Sequence, residues 1–281
     1  MGDKIVFKEP FSLLNEQILK LDHWDSLLPD LTVGFTTKNG GISEKPFTSL
    51  NVGLHVNDES SQVLENRQRI GDLLSFTPAN WVCGEQIHEN RIEEITAEDA
   101  GRGVFDYESS ITGTDGLYTK EPNILLASFY ADCVPLFFLE PKKKLLGVAH
   151  AGWKGTVKDI AGEMVRLWQE KEGIHPRDIH AAIGPSIGPC CYVVDDYVIQ
   201  FVNEVLGKSG ENLVYNEVDT GQYSLDLKAL NRFLMEAAGI QQENIVQSKY
   251  CTSCETSLFF SHRRDKGKTG RLMSFIGRKE K

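Results

Sequence analysis

The sequence predicts a single α+β domain over residues 1–281, in which strands and helices pack as layers. Two patterns alternate along the chain. Short apolar runs are typical of buried strands, and amphipathic segments with apolar residues at helical spacing are typical of surface helices. No repeat, linker or low-complexity stretch divides them, and 281 residues with 41% hydrophobic content suffice for one large core.

The first third of the chain predicts two helices and two strands. In order, they are a helix over 11–20, a strand over 31–37, an amphipathic helix over 61–74 and a short strand over 81–88. The first helix is inferred because Leu13, Leu14 and Ile18 fall roughly on one side. The strand over 31–37 is followed by Asn39-Gly40-Gly41, a strong turn signal. The polar, glycine-rich residues 97–115 indicate a long surface loop.

The remaining elements follow from an apolar run that begins at Ile124 and ends at Leu139. A polar break at 130–133 interrupts this run, and Pro135 would disrupt helical hydrogen bonds, so two strands joined around the break are predicted. Further strands are predicted over 145–150, 179–184, 257–261 and 271–276, and further helices near Gly155, Asp195 and Asp226.

Composition narrows the class of protein and its location. A net charge of −10 argues against binding to duplex nucleic acid, since that affinity depends on neutralising phosphates. No stretch approaches the roughly 20 apolar residues of a membrane helix, and the N-terminus lacks the apolar core of a signal peptide. We therefore expect a cytoplasmic protein without a membrane partner. Six cysteines are too few for a disulfide scaffold, so thiols or metal ligands are expected.

Three short segments each place one metal-ligating side chain at the end of an apolar run. They contribute His88, Cys133 and His150. One thiolate and two imidazoles leave a fourth tetrahedral position open, as catalytic zinc sites do. The same residues would equally suit a thiolate that is activated by imidazole. Both interpretations predict an enzyme.

A second set of cysteines suggests a separate site. Cys251 and Cys254 form a C-x-x-C pair and, with Cys190 and Cys191, would suit a structural zinc ion. The alternative for the pair is a redox role, although no thioredoxin-like βαβ unit precedes it.

At these segments the chain resembles the YfiH/YlmD family, long described as laccase-like or multicopper polyphenol oxidases. The motifs that carry the resemblance extend through most of the chain and include Gly34-Phe-Thr-Thr-Lys-Asn-Gly-Gly-Ile-Ser, Ser49-Leu-Asn-Val-Gly-Leu-His, Gln86-Ile-His, Thr114-Asp-Gly-Leu, Ala131-Asp-Cys-Val-Pro, Ala149-His-Ala-Gly-Trp-Lys-Gly-Thr and Phe260-Ser-His-Arg-Arg-Asp with Thr269-Gly-Arg.

The resemblance implies a fold, a metal and an activity. The fold would be a mixed α/β sandwich resembling the catalytic domain of cytotoxic necrotizing factor toxins. His88, Cys133 and His150 would bind a catalytic zinc ion. The activities would be those of a purine nucleoside phosphorylase with adenosine deaminase and methylthioadenosine phosphorylase activity, so the expected partners are purine nucleosides (adenosine, inosine, guanosine and methylthioadenosine) and phosphate.

Substrate contacts are expected from polar residues in or near the same motifs. For phosphate, the candidates are the N–H groups that open the helix after His150, together with Lys154 and either Arg67 or Arg264. For the ribose or base, the candidates are Asn51, Gln86 and Asp132, through directed hydrogen bonds. Arg67 would otherwise form an ion pair on a helix surface.

Two other functions remain open from the sequence. A laccase needs a histidine-rich trinuclear copper cluster, whereas this chain has seven histidines and no His-x-His, so only a single copper ion in the Cys/His site would account for oxidase activity. A non-enzymatic interaction module stabilised by zinc would need a fourth protein ligand.

Overall fold

Two six-stranded sheets face each other, and helices cover the outer face of each. The computed structural model describes residues 8–207 and 214–280. The strands are β1 Phe11–Leu13, β2 Ile18–Leu21, β3 Leu31–Thr36, β4 Trp81–Cys83, β5 Ile92–Glu94, β6 Gly116–Thr119, β7 Leu125–Tyr130, β8 Val134–Glu140, β9 Leu145–Ala151, β10 His180–Ile183, β11 Val193–Asp195, β12 Tyr215–Asp219, β13 Gln222–Leu225, β14 Ile245–Gln247 and β15 Leu272–Arg278. The helices are α1 Ser60–Leu74, α2 Trp153–Val157, α3 Ile160–Glu172, α4 Asp196–Leu206 and α5 Leu227–Ala237.

The first sheet has the order β1-β2-β3-β15-β7-β4, and the second has the order β14-β10-β8-β9-β6-β5. Both sheets mix directions: β7 pairs with β15 antiparallel and with β4 parallel. A three-stranded sheet, β11-β13-β12, lies beside α4. The mixed α/β architecture predicted from the sequence is confirmed.

Side chains from both sheets fill the space between them. The buried residues there include Phe11, Leu19, Phe35, Leu126 and Ile276 from the first sheet and Phe137, Leu139, Leu146, Val148 and Ala182 from the second. The opposite face of the second sheet packs on α3, α4 and α5, and that of the first sheet packs on α1. Because β7, β8 and β9 are covered on both faces, every residue in them is buried, which explains their continuous apolar runs.

Most predicted elements are present, but two are not formed and a third is shorter than predicted. Residues 11–20 form the hairpin of β1 and β2 rather than a helix, because the Asn15 side chain accepts hydrogen bonds from the backbone N–H groups of Gln17 and Ile18 and closes a turn. Residues 257–261 form the end of a turn and an irregular segment rather than a strand, although Phe259 and Phe260 are buried. The strand predicted over 81–88 ends at Cys83, and His88 lies in the loop beyond it.

The chain crosses between the two sheets at one end of the sandwich, and these crossings position the candidate site. Residues 131–133 connect β7 in the first sheet to β8 in the second, and residues 84–91 connect β4 to β5 in the same way. His150 lies near the end of β9, where side-chain alternation places it on the same face as Leu146 and Val148, towards the inter-sheet core.

Among the described helices, none combines the length and the apolar character that crossing a membrane would require.

Candidate metal centre and active site

The fold brings together the three side chains that were predicted from the sequence as candidate metal ligands. The nitrogen and sulfur ligand atoms of His88, Cys133 and His150 all lie within 4.8 Å of one another. Cys133 Sγ is 3.9 Å from His88 Nε2, and the two imidazole rings meet edge to face with centroids 4.7 Å apart. His150 is 3% exposed, whereas His88 is on the surface. The trio therefore sits at the open end of the inter-sheet core and is reachable from solvent on one side.

Asp115 organises this trio, although sequence reasoning gave it no role. Its Oδ1 accepts a hydrogen bond from His150 Nδ1 at 2.8 Å. The same carboxylate accepts bonds from the backbone N–H groups of Ile87, His88 and Glu89 at 2.9–3.1 Å. A carboxylate that orients a metal-binding histidine is a frequent feature of metal sites. The Thr114-Asp-Gly-Leu motif marks Asp115 in the sequence, but the contact between Asp115 and residues 87–89 becomes visible only in the folded structure.

Two residues of the site have left-handed backbone conformations. His88 has φ +66° and Asp132 has φ +87°. Such angles are uncommon outside glycine and persist only where surrounding contacts hold them. The Asp115 carboxylate, which accepts a hydrogen bond from the His88 N–H, stabilises the backbone conformation of His88. Hydrogen bonds from the Thr252 and Ser261 side chains to the Asp132 carboxylate stabilise that of Asp132.

Gly152 leaves the space that the trio requires. A Cβ atom at this position would lie 2.8 Å from His88 Cδ2 and 3.2 Å from Cys133 Sγ. The Gly152 backbone is ordinary, with φ −69°, so the requirement for glycine arises from close approach and not from conformation. The residue immediately before α2 therefore has to be glycine for the trio to fit.

The environment favours a charged pair at Cys133 and His150 when no metal ion is bound. Burial alone would raise the pKa of the Cys133 thiol, but the imidazoles of His150 and His88 lower it to about 6. Burial alone would lower the pKa of His150, but Cys133 and Asp115 raise it to about 9. Near pH 7 this geometry suits a thiolate beside an imidazolium, and the same thiolate is the form that binds a metal ion.

The polar atoms of the residues expected to contact ribose or base bond to the protein itself. Gln86 Nε2 and Oε1 pair with the backbone of Phe129 at 2.9 and 2.8 Å. Asn51, which is fully buried, accepts from the Arg271 N–H and donates to Asp58. Asp132 accepts from Thr252, Ser261 and the N–H of Arg263. These residues hold loops around the trio.

The two arginines expected to bind phosphate are also engaged within the fold. Arg67 is 2% exposed, donates to three backbone carbonyls and stacks on the Phe129 ring, so it does not form a surface ion pair. Arg264 bonds to Asp265 and to the carbonyl groups of Thr252, Ser253 and Phe259. Lys154 differs, because it is exposed on α2 with Nζ 5.8 Å from the Trp153 ring.

A cavity of about 550 Å³ lies beside the start of α2, a few residues after His150 in the chain, and was not anticipated from the sequence. Its walls include Trp153, which follows Gly152, and Tyr192, which interacts electrostatically with Cys133. Arg263 lies on the same wall with its guanidinium 5.0 Å from the Tyr192 ring centre. Its size is in the range of small-molecule sites, and its flat aromatic side chains suit a planar ring.

Arg271 is a further basic residue near the trio, and its sequence pattern did not indicate a role in the site. Its guanidinium interacts electrostatically with Cys133 and Asp132. The Thr269-Gly-Arg motif contains it, but only the tertiary fold shows that β15 begins beside the trio.

The described residues contain two groups of three or more potential metal ligands. One is the trio, and the other consists of Cys190, Cys191, Cys251 and Cys254. Of these two groups, only the trio contains histidine. The described residues therefore contain no group that resembles the histidine-rich trinuclear cluster of a multicopper oxidase.

Comparisons with known proteins agree on one family. Residues 32–279 match the family model described as multi-copper polyphenol oxidoreductase laccase. The chain is 50% identical over 274 residues to purine nucleoside phosphorylase YlmD of Bacillus subtilis, covering 96% of this chain and 98% of that protein.

Two solved structures share the fold over nearly the whole chain. The crystal structure of YlmD from Geobacillus stearothermophilus superimposes with a TM-score of 0.94 at 47% identity, covering 97% of this chain and 100% of that one. That of the Bacillus licheniformis hypothetical protein YfiH gives 0.93 at 48% identity, with the same coverage. The chain therefore belongs to the YfiH/YlmD family, as the sequence motifs predicted.

Proposed function

We propose that this protein is a zinc-dependent purine nucleoside phosphorylase that also deaminates adenosine and accepts methylthioadenosine. The observation that carries the proposal is the convergence of His88, Cys133 and His150 at a site open to solvent. The name of the Bacillus subtilis relative, purine nucleoside phosphorylase, supports the first activity.

The residues of the trio fit a zinc ion. One sulfur and two nitrogen ligands suit the borderline-soft Zn²⁺, and Asp115 occupies Nδ1 of His150, which leaves Nε2 for the metal. When bound, zinc would supply Lewis acidity at a coordination position that the protein leaves open.

The aromatic cavity beside the start of α2 is the proposed nucleoside site. Trp153 and Tyr192 provide flat aromatic faces on which the uncharged purine ring would stack. Trp153 in the cavity wall directly follows Gly152, which lies beside His88 and Cys133, so the rest of the nucleoside would lie towards those two residues. In this arrangement one bound nucleoside presents either its glycosidic bond or its C6 position to the trio.

Phosphate is proposed to bind where positive charge borders this cavity. The Lys154 ammonium lies over the Trp153 ring and the Arg263 guanidinium over the Tyr192 ring, and both would form charge-assisted hydrogen bonds with phosphate oxygens. During phosphorolysis a phosphate oxygen bonds to C1′ of the ribose while the bond from C1′ to the purine nitrogen breaks. The purine leaves with the bonding electrons and takes up a proton, and ribose 1-phosphate remains.

The two alternatives are less well supported. Copper-dependent phenol oxidation would rely on one ion in the trio, because the described residues form no second histidine-containing group. A closed structural zinc site would need a fourth protein ligand beside the trio, and the described residues contribute three.

The decisive experiment compares products from adenosine with metal-defined protein. Zinc-loaded enzyme with phosphate is expected to release adenine and ribose 1-phosphate, and without phosphate only inosine and ammonia. Cys133→Ala should abolish both activities, whereas Cys83→Ala, a buried cysteine outside the trio, should retain them. If zinc-loaded protein leaves nucleosides intact while copper-loaded protein oxidises phenols rapidly, the oxidase interpretation is correct.

A further inference from the structure

Four of the six cysteines meet at a second place, close behind the Asp132–Cys133 turn. Cys190 and Cys191 end a tight loop that begins after β10, and Cys251 and Cys254 belong to turns that follow β14. The two segments are joined by an isolated bridge between Ser186 and Cys251. Sixty residues separate the pairs in sequence, so only the fold brings them together.

The four sulfur atoms are arranged as a tetrathiolate metal site requires. All of them lie within 4.8 Å of one another. Cys254 Sγ is 3.5 Å from Cys190 Sγ and 3.4 Å from Cys191 Sγ. In a tetrahedral Zn(Cys)₄ site with Zn–S bonds of about 2.3 Å, the sulfur atoms are about 3.8 Å apart. None of the four is in a disulfide.

The surroundings supply the groups that stabilise a negatively charged centre. The Gly188 N–H donates to Cys251 Sγ at 3.2 Å. Four thiolates around Zn²⁺ carry a net charge of about −2, which a nearby cation would partly offset. The Lys228 ammonium is 4% exposed and donates to the carbonyl groups of Ser248 and Tyr250, immediately before Cys251. A buried lysine is unusual unless an opposite charge compensates it.

We propose that Cys190, Cys191, Cys251 and Cys254 bind a second, structural zinc ion. Binding releases the four thiol protons, involves no change of oxidation state, and connects two segments that both hold the Asp132 turn. Ile187 N–H donates to the Asp132 carbonyl at 3.0 Å, and Thr252 Oγ1 donates to the Asp132 carboxylate at 2.6 Å. The ion would therefore fix the backbone on which Cys133 stands without contacting substrate.

Metal content of protein purified under reducing conditions tests this site directly. Native mass spectrometry should find two zinc ions per chain in the parent protein and in Cys83→Ala, which alters a cysteine outside both groups. Cys254→Ser and Cys133→Ala should each retain one zinc ion, and the double variant should retain none. Cys254→Ser should also lower the unfolding temperature, because it frees the two segments.

A second measurement needs no substitution and covers the case in which Cys254→Ser fails to fold. Parent protein loaded with ¹¹³Cd should give two NMR resonances, one shifted far downfield as expected for four thiolate ligands. A single resonance, a parent protein with one zinc ion that Cys254→Ser leaves unchanged, or a disulfide from Cys254 to Cys190 or Cys191 in the reduced preparation would each overturn the proposal.

Discussion

The Asp115 carboxylate lies 2.8 Å from His150 Nδ1, and this contact determines which ring nitrogen is free for a ligand. Hydrogen bonds from His150 and from the N–H groups of Glu89 and His88 outweigh the effect of burial and hold the pKa of Asp115 below its usual range. The ionised carboxylate accepts only, so the Nδ1 proton remains on His150 and Nε2 is left towards Cys133. One side chain thus orients two of the three proposed ligands.

Replacing this carboxylate should weaken metal binding while the ligands stay in place. In Asp115→Asn, the neutral amide gives a weaker acceptor to His150 and loses charge-assisted bonds to the 87–89 loop. We expect zinc affinity to fall about 10- to 100-fold, measured by competition with a chromophoric chelator. Asp72→Asn, an exposed carboxylate on α1, is the matched control and should bind zinc as the parent does. Unchanged affinity in Asp115→Asn would show that the carboxylate serves folding alone.

The reactivity of Cys133 provides a second test, in metal-free protein. With its pKa near 6, Cys133 is mostly thiolate at neutral pH, so its alkylation rate should be nearly constant between about pH 7 and 9. Below about pH 6 the thiolate is progressively protonated, and the rate should fall roughly tenfold per pH unit. Burial raises the pKa of Cys83 to about 11, so Cys83 should stay unmodified until the protein unfolds. Peptide mapping after treatment with iodoacetamide measures the modification of Cys133 and of Cys83 separately. A rate at Cys133 that rises steadily from pH 7 to 9 would contradict the thiolate assignment.

The sequence identifies His88, Cys133 and His150 as candidate ligands because each lies in or just beyond an apolar run, and recognising that pattern needs no knowledge of tertiary structure. Asp115 and the Trp153 ring were not assigned a role, since their importance depends on which loops meet at the end of the sandwich. Conversely, Asn51, Gln86, Asp132 and Arg67 were expected to bind substrate because polar residues in such motifs suit ligands. The structure shows their polar atoms bonded to backbone and side-chain groups of the protein itself.

The fold was predictable to a similar degree. The strands β7, β8 and β9 were found because their two buried faces leave continuous apolar runs. Residues 11–20 were misassigned because the spacing of Leu13, Leu14 and Ile18 fits a helix as well as a hairpin. The hairpin is favoured by the turn at Asn15, which is closed by hydrogen bonds to the Asn15 side chain. The spacing of apolar residues does not reveal such bonds.

The space at Gly152 should be more important for metal binding than for stability. Gly152→Ala places a methyl group 2.8 Å from His88 Cδ2, so the imidazole must move, and the zinc ion at the trio and phosphorolysis should both be largely lost, while the zinc ion proposed at the four cysteines remains. Gly207→Ala is the contrasting control, because nothing lies within 4 Å but φ is +58°. It should lower stability by about 1 kcal/mol and leave zinc content unchanged. Zinc content and thermal unfolding of both variants check this. Full zinc occupancy in Gly152→Ala would mean that the trio is not the binding site.

The aromatic cavity predicts a selective effect on nucleoside binding. Trp153→Ala removes one proposed stacking face, and a loss of about 0.5–1.5 kcal/mol corresponds to a roughly two- to tenfold increase in KM for adenosine. Because the ring also packs against Tyr197 and Phe201, thermal unfolding should be measured alongside. Phe105→Ala, an exposed aromatic residue that is not among those lining this cavity, should leave KM unchanged. A fall in kcat with KM unaffected would place the purine elsewhere.

The charge of Lys154 should distinguish the two reactions. Phosphorolysis needs phosphate held beside the ribose, whereas attack of water at purine C6 needs no anion, so Lys154→Ala should impair phosphorolysis far more than deamination. Loss of a charged hydrogen bond of about 1.5–3 kcal/mol corresponds to a roughly ten- to hundredfold decrease in phosphorolytic kcat/KM. Lys158→Ala is the matched control, because Lys158 is paired with Glu89 and should not bind phosphate. Both rates are measured on adenosine over a range of phosphate concentrations.

Equal losses in the two reactions would indicate that Lys154 supports the fold or binds the purine. Unimpaired phosphorolysis in Lys154→Ala, combined with a loss in Arg263→Ala, would place phosphate at Arg263 alone.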